Sequence, residues 1–238
     1  MNKILLETND LTKSYEHLNG TITLFKNFNI KIKKGDLVAL VGPSGSGKSS
    51  LLHLLALLDE PSKGKIIIDK QETKNLSNNK RDELRRKSIS VIFQDNNLLT
   101  DFTALENIMM PLIIKGEKSK TISEKASKIM KDLKIQNRSN HFPNELSGGE
   151  QQRVAIARAL IAETKLILAD EPTGNLDFKT SKEIFSLFIK LKKLGKTVIF
   201  ATHNRELANR ADYKLYISDG IIKQSECSLR KKINHIKI

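Results

Sequence analysis

The sequence predicts an α/β fold in which a mostly parallel β-sheet is covered by helices on both faces. Apolar, partly β-branched segments of strand length lie at residues 37–41, 88–93, 165–172 and 197–202, and segments with helical spacing separate them. A loop rich in glycine and serine joins the first of these strands directly to an apolar helix. Parallel strands need helical crossovers and are buried on both faces, so this alternation indicates that architecture.

Residues 4–34 show a different pattern, of short strands and turns. Apolar residues there alternate roughly with polar ones, as in antiparallel strands with one buried face. The apolar positions are Ile22, Leu24, Phe25, Phe28, Ile30 and Ile32. Residues 64–69 predict one further strand, which follows a turn at 61–64. We therefore expect an N-terminal β lobe built from antiparallel strands.

The glycine- and serine-rich loop matches the pattern G-x-x-x-x-G-K-[ST], which is typical of phosphate-binding loops. It consists of Gly42, Pro43, Ser44, Gly45, Ser46, Gly47, Lys48 and Ser49. Glycines let the backbone N–H groups point inward at phosphate oxygens, and the dipole of the following helix adds positive potential. Lys48 can reach the β- and γ-phosphates, and the Ser49 hydroxyl can ligate Mg²⁺. A plain turn ending in lysine is the alternative, but the complete strand–loop–helix context favours the phosphate site.

Residues 95–145 are predicted to be mostly helical, with breaks at Pro111 and Gly116 and no strand of any length. Five apolar residues fall at helical spacing and predict a face packed into a core. They are Ile122, Ala126, Ile129, Met130 and Leu133. We interpret the segment as a helical lobe inserted into the α/β core.

Two carboxylates, Asp170 and Glu171, directly follow a run of apolar residues. A carboxylate at a strand end can hold Mg²⁺ opposite Ser49, and its neighbour is well placed as general base for an attacking water. A helix cap is the alternative role for such an acid. Gln94 and His203 also end strands, and open α/β sheets bind ligands at this edge. Because no His/Cys cluster has metal-ligand spacing, Mg²⁺ bound with a nucleotide is the only metal implied.

The segment 146–150 places small residues directly before a second helix. Backbone N–H groups and the helix dipole at Ser147, Gly148 and Gly149 can therefore face an anion. The chain has only one phosphate loop, so a second anion-facing helix start suggests a composite site that covers nucleotide held by another copy. The alternative is an ordinary N-cap.

Composition narrows the range of partners. The net charge is +14, but the basic residues are scattered and aromatic residues make up only 5% of the chain. We therefore expect a solvated basic surface and no nucleic-acid partner. The single cysteine, Cys227, fits a reducing compartment. We expect no secretory signal at the N-terminus, no segment long enough to span a bilayer, and a loose basic tail over residues 227–238.

Taken together, these segments resemble the nucleotide-binding subunit of an ATP-binding cassette (ABC) transporter, over essentially the whole chain. Residues 42–49 resemble the Walker A loop, 146–153 the family signature, and 166–170 Walker B. By the same resemblance, Gln94 is the Q-loop glutamine, Glu171 the catalytic glutamate, residues 175–177 the D-loop, His203 the switch histidine and Tyr15 the aromatic that stacks on adenine. Two departures are small: Glu150 stands where many members have glutamine, and Asn204 where aspartate often follows the histidine.

The resemblance implies a P-loop NTPase with a RecA-like core, an N-terminal antiparallel β lobe and an inserted helical lobe. The chain is then a single ABC ATPase domain, with core and β lobe at 1–94 and 162–226 and the helical lobe at 95–161. It implies an ATPase coupled to transport, with ATP and Mg²⁺ bound between two copies of the chain. The implied catalytic residues are Glu171, His203, Gln94 and Lys48, and the implied Mg²⁺ ligands are Ser49, Gln94 and Asp170. The implied nucleotide-binding residues are those from Gly42 to Ser49, Ser50, Tyr15, Ser147, Gly148, Gly149 and Asp177.

Within the family, residues 98–107 and 110–112 resemble the branch that includes lipoprotein-releasing ATPases and macrolide-exporter cassettes. Residues 51–55, 58–59 and 101–103 look most like the lipoprotein-releasing ATPases. This implies separately encoded membrane permease subunits and a peripheral place on the cytoplasmic face of a bacterial inner membrane. The alternatives are a macrolide- or peptide-type exporter, an FtsE-like division regulator, and a soluble ABC ATPase acting on nucleic acid or ribosomes.

Overall fold

The structure, a computed structural model, describes residues 3–18, 20–174 and 176–226. Within these residues the strands are β1 (Ile4–His17), β2 (Gly20–Lys33), β3 (Leu37–Val41), β4 (Lys63–Ile68), β5 (Gln71–Glu72), β6 (Ile89–Ile92), β7 (Leu166–Asp170), β8 (Thr197–Ala201), β9 (Tyr213–Ser218) and β10 (Ile221–Glu226). The helices are α1 (Lys48–Leu55), α2 (Asn78–Ser88), α3 (Ala104–Ile114), α4 (Ser119–Asp132), α5 (Gly148–Ile161), α6 (Phe178–Lys193) and α7 (Arg205–Asn209). The basic tail at 227–238 lies outside the described residues.

The N-terminal part forms a four-stranded antiparallel sheet in the order β2-β1-β4-β5. The antiparallel pairing is confirmed, but the expectation of short strands is wrong, because β1 and β2 are each 14 residues long. Register shifts interrupt their pairing, for example between Thr8 and Leu11. Such bulges bend and twist a long hairpin. They also disturb the alternation of apolar and polar residues, which is why the sequence reads as several short strands.

The second sheet has six strands in the order β10-β9-β3-β8-β7-β6. All neighbouring pairs are parallel except β9 and β10, so the predicted mostly parallel sheet is confirmed. Strands β7 and β8 are buried at every position. A strand buried on both faces has a continuous apolar run in its sequence, and both of these strands show that pattern.

Two hydrophobic cores lie on opposite faces of this sheet. Successive strand residues point to opposite faces, so Leu168 and Ile199 join the core beneath α1 and the β lobe. Ala169 and Phe200 join the core beneath the helices from α3 to α6. In that second core Phe200 packs edge-on against Phe185, with ring centroids 5.5 Å apart. The layers packed on both faces hold the sheet rigid. Loops occupy the two edges of the sheet at which its strands begin and end.

The helical segment after β6 packs α3 and α4 against α5. The core face predicted for α4 is confirmed, because Ile122, Ala126 and Met130 are buried. The expected break at Pro111 is wrong: the proline lies inside α3, which continues to Ile114. The proline removes one helical hydrogen bond and crowds the preceding turn, but Leu112 beside it is buried in the core that holds the helix in place. The break comes at Gly116, which has a φ of +74°. Among the described helices, none is both long and apolar enough to cross a bilayer.

A close backbone contact fixes the β lobe at Gly64. This residue has a φ of +85°, and a Cβ there would lie 2.4 Å from the carbonyl oxygen of Asp10 and 2.5 Å from that of Asn9. The contact lies where the pairing of β1 with β4 shifts register. A side chain at this position would therefore meet backbone that has no room to move.

We expect Gly64→Ala to lower the free energy of unfolding by about 3 kcal/mol, from left-handed strain plus the backbone clash. Gly116→Ala is the matched control, because its φ is +74° but a Cβ there would meet nothing within 4 Å. Its expected loss is about 1 kcal/mol, from strain alone. Chemical denaturation of the two variants measures the difference, and equal losses would show that the contact at Gly64 is unimportant.

Candidate active site

The carboxyl ends of β3, β6, β7 and β8 meet at one edge of the parallel sheet, and the segments that follow them line a cleft of about 760 Å³. The cleft brings together most of the residues singled out in the sequence. These are Ser44, Gly45, Gly47, Lys48, Ser49, Ser50, Gln94, Asp170, Glu171 and His203. Residues far apart in the chain thus converge on a single pocket.

The phosphate loop turns from β3 into α1, and no side chain of the described residues caps that helix. Its first N–H groups are therefore left for a ligand. The buried ammonium of Lys48 donates to the carbonyl oxygens of Gly42, at 3.1 Å, and Pro43, at 3.0 Å. A Cβ on Gly42 would lie 2.2 Å from the carbonyl oxygen of Ile217, so only glycine fits there. The Ser46 hydroxyl is buried without a hydrogen-bond partner among the described residues.

Asp170 ends β7, and its side chain is buried in the wall of the cleft. Its Oδ1 atom has no hydrogen-bond partner among the described residues. A buried carboxylate oxygen without a partner is costly, and a hard cation would satisfy it. Ser49 and Gln94 bring further oxygens to the same cleft. No group of three or more His, Cys, Asp and Glu side chains within the described ranges could hold a metal. The residues therefore fit Mg²⁺ bound through a few protein oxygens together with phosphate and water.

Glu171 adopts a strained backbone conformation, with a φ of +43°. Non-glycine residues in this region cost about 1–3 kcal/mol and cluster at functional sites. The backbone N–H of His203 donates to Glu171 Oε2 at 3.3 Å. The other oxygen, Oε1, lies 3.2 Å from His203 Nε2 but lacks the geometry of a hydrogen bond. That contact becomes an ion pair only when the imidazole is protonated. The His203 N–H thus fixes the direction of the carboxylate, and the buried Oε1 atom has no hydrogen-bond partner among the described residues.

Gln94 and His203 each lie two residues beyond the end of a strand, as expected, and both side chains are exposed in the cleft. Asn204, which departs from the family pattern, is the N-cap of α7, and its Oδ1 accepts from the N–H of Leu207. Asparagine and aspartate cap helices about equally well. The departure therefore leaves the position of His203 unaffected.

The structure does not place Tyr15 in the cleft. This side chain lies on β1, half exposed, while Leu24 on the neighbouring strand does line the cleft. The Lys13 ammonium lies 4.6 Å from the centre of the Tyr15 ring, and the Tyr15 hydroxyl donates to Asp59 at 3.3 Å. One ring face and the hydroxyl are therefore held from within the β lobe.

The segment from Ser147 to Gly149 also lies outside the cleft. Ser147 is the N-cap of α5 and forms a reciprocal capping box with Glu150. The ordinary N-cap, the alternative role for this segment, is therefore present in this protomer. The pKa of Glu150 is lowered to about 2, chiefly by the hydrogen bond from Arg138 and next by the one from the Ser147 backbone N–H. The carboxylate is ionised at neutral pH.

Asp177 caps α6 and likewise does not line the cleft. It accepts from the backbone N–H groups of Lys179 and Thr180 and from the Thr180 hydroxyl. The hydroxyl and backbone bonds from Thr180 hold the pKa of Asp177 below its usual value. Asn175, the first residue of the predicted D-loop, lies outside the described residues.

Sequence reasoning missed several residues of the cleft wall, including Leu24, Thr202 and Phe178. The sequence does contain a signal for Thr202, because this residue directly precedes His203 at the end of a predicted strand. Phe178 had no such signal. Its ring is 63% exposed at the start of α6 and lies under the Lys182 ammonium at 4.0 Å.

The chain is similar to known proteins over most of its length. The family model described as ABC transporter matches residues 25–174. The lipoprotein-releasing system ATP-binding protein LolD of Legionella pneumophila (strain Paris) is 42% identical over 92% of this chain and 97% of its own length. LolD of Rickettsia prowazekii (strain Madrid E) is 46% identical over 93% and 99%, respectively.

Among solved structures, a dimer of the ATP-binding cassette MJ0796 in a post-hydrolysis state, bound to ADP and Pi, is similar with a TM-score of 0.89 and 38% identity. The match covers 94% of this chain and 99% of that one. Sequence, fold and the convergence of the phosphate loop with Asp170 and Glu171 agree. The chain belongs to the ABC transporter family, as one of its ATP-binding cassettes.

Proposed function

We propose that this chain is the ATP-hydrolysing subunit of an ABC complex that releases lipoproteins from the bacterial inner membrane toward the outer membrane. The observation that carries the proposal is the identity of 42% to 46%, over nearly full length, to proteins named as ATP-binding proteins of lipoprotein-releasing systems. The cleft provides the groups needed for ATP hydrolysis, because it brings the phosphate loop together with the Glu171 carboxylate, whose direction is fixed by a hydrogen bond.

The phosphate loop holds the triphosphate of ATP. Backbone N–H groups from Gly45 to Ser50 bind the phosphate oxygens at the uncapped start of α1. Lys48 exchanges the carbonyls of its own loop for the β- and γ-phosphates. Ser49, Asp170 and Gln94 would hold Mg²⁺, which would supply neutralisation of the phosphate charge. The partnerless oxygen of Asp170 supports this role.

Glu171 is the general base for hydrolysis. Its Oε1 atom, which has no hydrogen-bond partner among the described residues, accepts a hydrogen bond from the attacking water. It takes up the proton as the water oxygen bonds to the γ-phosphorus, the bond from the γ-phosphorus to the bridging oxygen breaks, and ADP leaves. The backbone N–H of His203 holds Oε2, which fixes the direction of the carboxylate. The His203 imidazole, exposed beside it, reaches toward the γ-phosphate side of the cleft. Gln94 orients water and metal from the neighbouring strand end.

Two copies of the chain form the active unit. One protomer holds ATP in the cleft, and Ser147, Gly148 and Gly149 of its partner cover the triphosphate, while Asp177 lies at the seam. In a single protomer these residues lie outside the cleft, and the solved dimer of a similar cassette supports assembly in pairs. Hydrolysis removes the γ-phosphate that both protomers bind, and the pair reopens.

Separately encoded, LolC/LolE-like permease subunits pass the motion across the membrane, and the cassette lies on the cytoplasmic face of the inner membrane. A second groove, of about 650 Å³, lies beside Gln94, and its presence supports docking of a permease there. Its lining is largely apolar and includes Phe93, Leu99, Met110 and Ile114. Closure of the cassettes therefore moves the helical lobe and the permeases together.

We expect Glu171→Gln to lower kcat by about 10²- to 10³-fold while ATP binding is retained, because only the proton acceptor is lost. ATP should then trap a stable dimer. Phosphate release and light scattering with ATP and Mg²⁺ measure the two effects. Glu72→Gln, at an exposed ion pair with Lys65 in the β lobe, is the matched control. Normal turnover by Glu171→Gln would contradict the assignment of the base.

We propose that Tyr15, although outside the phosphate cleft, stacks on the adenine of ATP. Tyr15→Ala should then weaken ATP binding about tenfold, since stacking on a base contributes about 1–3 kcal/mol. Tyr15→Phe keeps the ring and should bind ATP nearly as well as the unmodified chain. Inorganic triphosphate has no base, so both variants should bind it equally. Calorimetric titrations measure these affinities. Equal loss of both ligands would assign Tyr15 a structural role instead.

Affinity purification from detergent-solubilised bacterial membranes tests the transport assignment. We expect the tagged chain to recover permease subunits with a large periplasmic domain. Reconstituted into lipoprotein-containing vesicles with the cassette facing outward, the complex should release lipoproteins only with ATP. Tag alone is the control. Recovery of ribosomes, DNA or cell-division proteins in place of permeases would contradict lipoprotein release.

A further inference from the structure

The start of α5 carries a negative charge that its cap does not need. Glu150 Oε2 accepts from the backbone N–H and from the hydroxyl of Ser147, each at 2.9 Å. The Ser147 hydroxyl oxygen in turn accepts from the Glu150 N–H at 3.4 Å. Glutamine closes the same capping box with a neutral amide. The charge of Glu150 therefore requires a separate explanation.

Arg138 binds the remaining oxygen of this carboxylate. The guanidinium Nε donates to Glu150 Oε1 at 2.7 Å, from a short 3-10 turn that precedes the signature segment. The arginine is 43% exposed and the glutamate 27% exposed. Arg138 and Ser147 thus bind the two oxygens of the same Glu150 carboxylate.

The arginines of α5 itself are engaged elsewhere. Arg153 pairs with Glu183 at 2.7 Å, and Arg158 donates to the carbonyl oxygens of Asn96 and Asn97. Gly149, on the same turn as Glu150, lies near Thr180 and Leu176, which bring no charge. Among the described residues, Arg138 is therefore the cation that balances Glu150.

This balance matters if the loop covers a triphosphate. A bare carboxylate one helical turn from Ser147 would repel the phosphates of the nucleotide, and the repulsion grows as closure excludes water. With Arg138 in place, the pair is neutral. The loop then presents the backbone N–H groups of Gly148 and Gly149 and the positive end of a helix dipole.

We propose that Arg138 is a positioning residue for closure of the ATP-bound dimer: it neutralises Glu150 and holds that carboxylate against Ser147, so that the loop accepts an anionic nucleotide. The inference rests on the proposed function, in which Ser147 covers ATP held by a second copy. It adds a residue outside the signature segment to the machinery that closes over ATP.

The test uses the full chain with Glu171→Gln, so that hydrolysis does not reopen the dimer. Light scattering gives the ATP concentration for half-maximal dimerisation. We expect Arg138→Met to raise it on the order of tenfold, from charge repulsion in a partly desolvated site. Adding Glu150→Gln to Arg138→Met should restore it to within about twofold, because the capping box remains and the charge is gone.

Two comparisons separate this role from a merely structural one. Screening by salt should shrink the difference between Arg138→Met and the parent, whereas lost packing would persist. Arg138→Lys keeps the charge and should stay within about threefold of the parent. Lys65→Met, which removes a similarly exposed pair at 2.8 Å in the β lobe, is the matched control and should have no effect. Thermal unfolding without nucleotide checks that each variant folds.

The outcomes separate the inference from the function on which it rests. An unchanged Arg138→Met variant, or a double variant as impaired as the single one, overturns the role of Arg138 and leaves the ATP-bound dimer standing. Failure of the Glu171→Gln parent to dimerise with ATP overturns both.

Discussion

Parallel pairing of the strands in the six-stranded sheet is the constraint on which the site depends. Because β3, β6, β7 and β8 run in one direction, the segment after each of them emerges at the same edge. Asp170 pairs with Ala201, so Glu171 and His203 come together beyond the last rung of that ladder. The phosphate loop lies after β3, on the other side of β8. No side chain in the cleft needs a long reach, because the ladder has already aligned the strand ends.

Buried cores on both faces make this alignment rigid enough to tolerate unfavourable local chemistry. Among the described residues, the wall of the cleft contains a carboxylate oxygen without a hydrogen-bond partner, the phosphate loop contains a buried serine hydroxyl without one, and the segment after β7 begins with a glutamate in the left-handed region. Each raises the free energy of the folded protomer, and a nucleotide with its metal would relieve at least the first two. The packing of Phe185 and Phe200 beneath the sheet offsets such costs at a distance.

The two helix starts proposed to contact nucleotide are prepared in opposite ways. The N-cap of α1 is Gly47, and no side chain of the described residues caps this helix, so its first N–H groups are open to an anion. Helix α5 begins with a closed capping box at Ser147. An open start suits a loop that binds first. A capped helix N-terminus suits a loop that is ordered in the free protomer and contacts nucleotide only when a second copy binds.

Short stretches of sequence by themselves determine much of this protein. Local sequence patterns encode the strand–loop–helix around Lys48, the buried strands and the acid pair at 170 and 171. This is possible because backbone geometry and burial impose a periodic pattern of apolar residues on short segments. The position of Tyr15 outside the cleft and the exposed ring of Phe178 leave no such trace. Pro111 within a continuous helix shows the limit most clearly, since neighbouring packing outweighed a local preference. Likewise, only tertiary structure brought Arg138 to Glu150, because an ion pair between a turn and a helix depends on where the chain folds back.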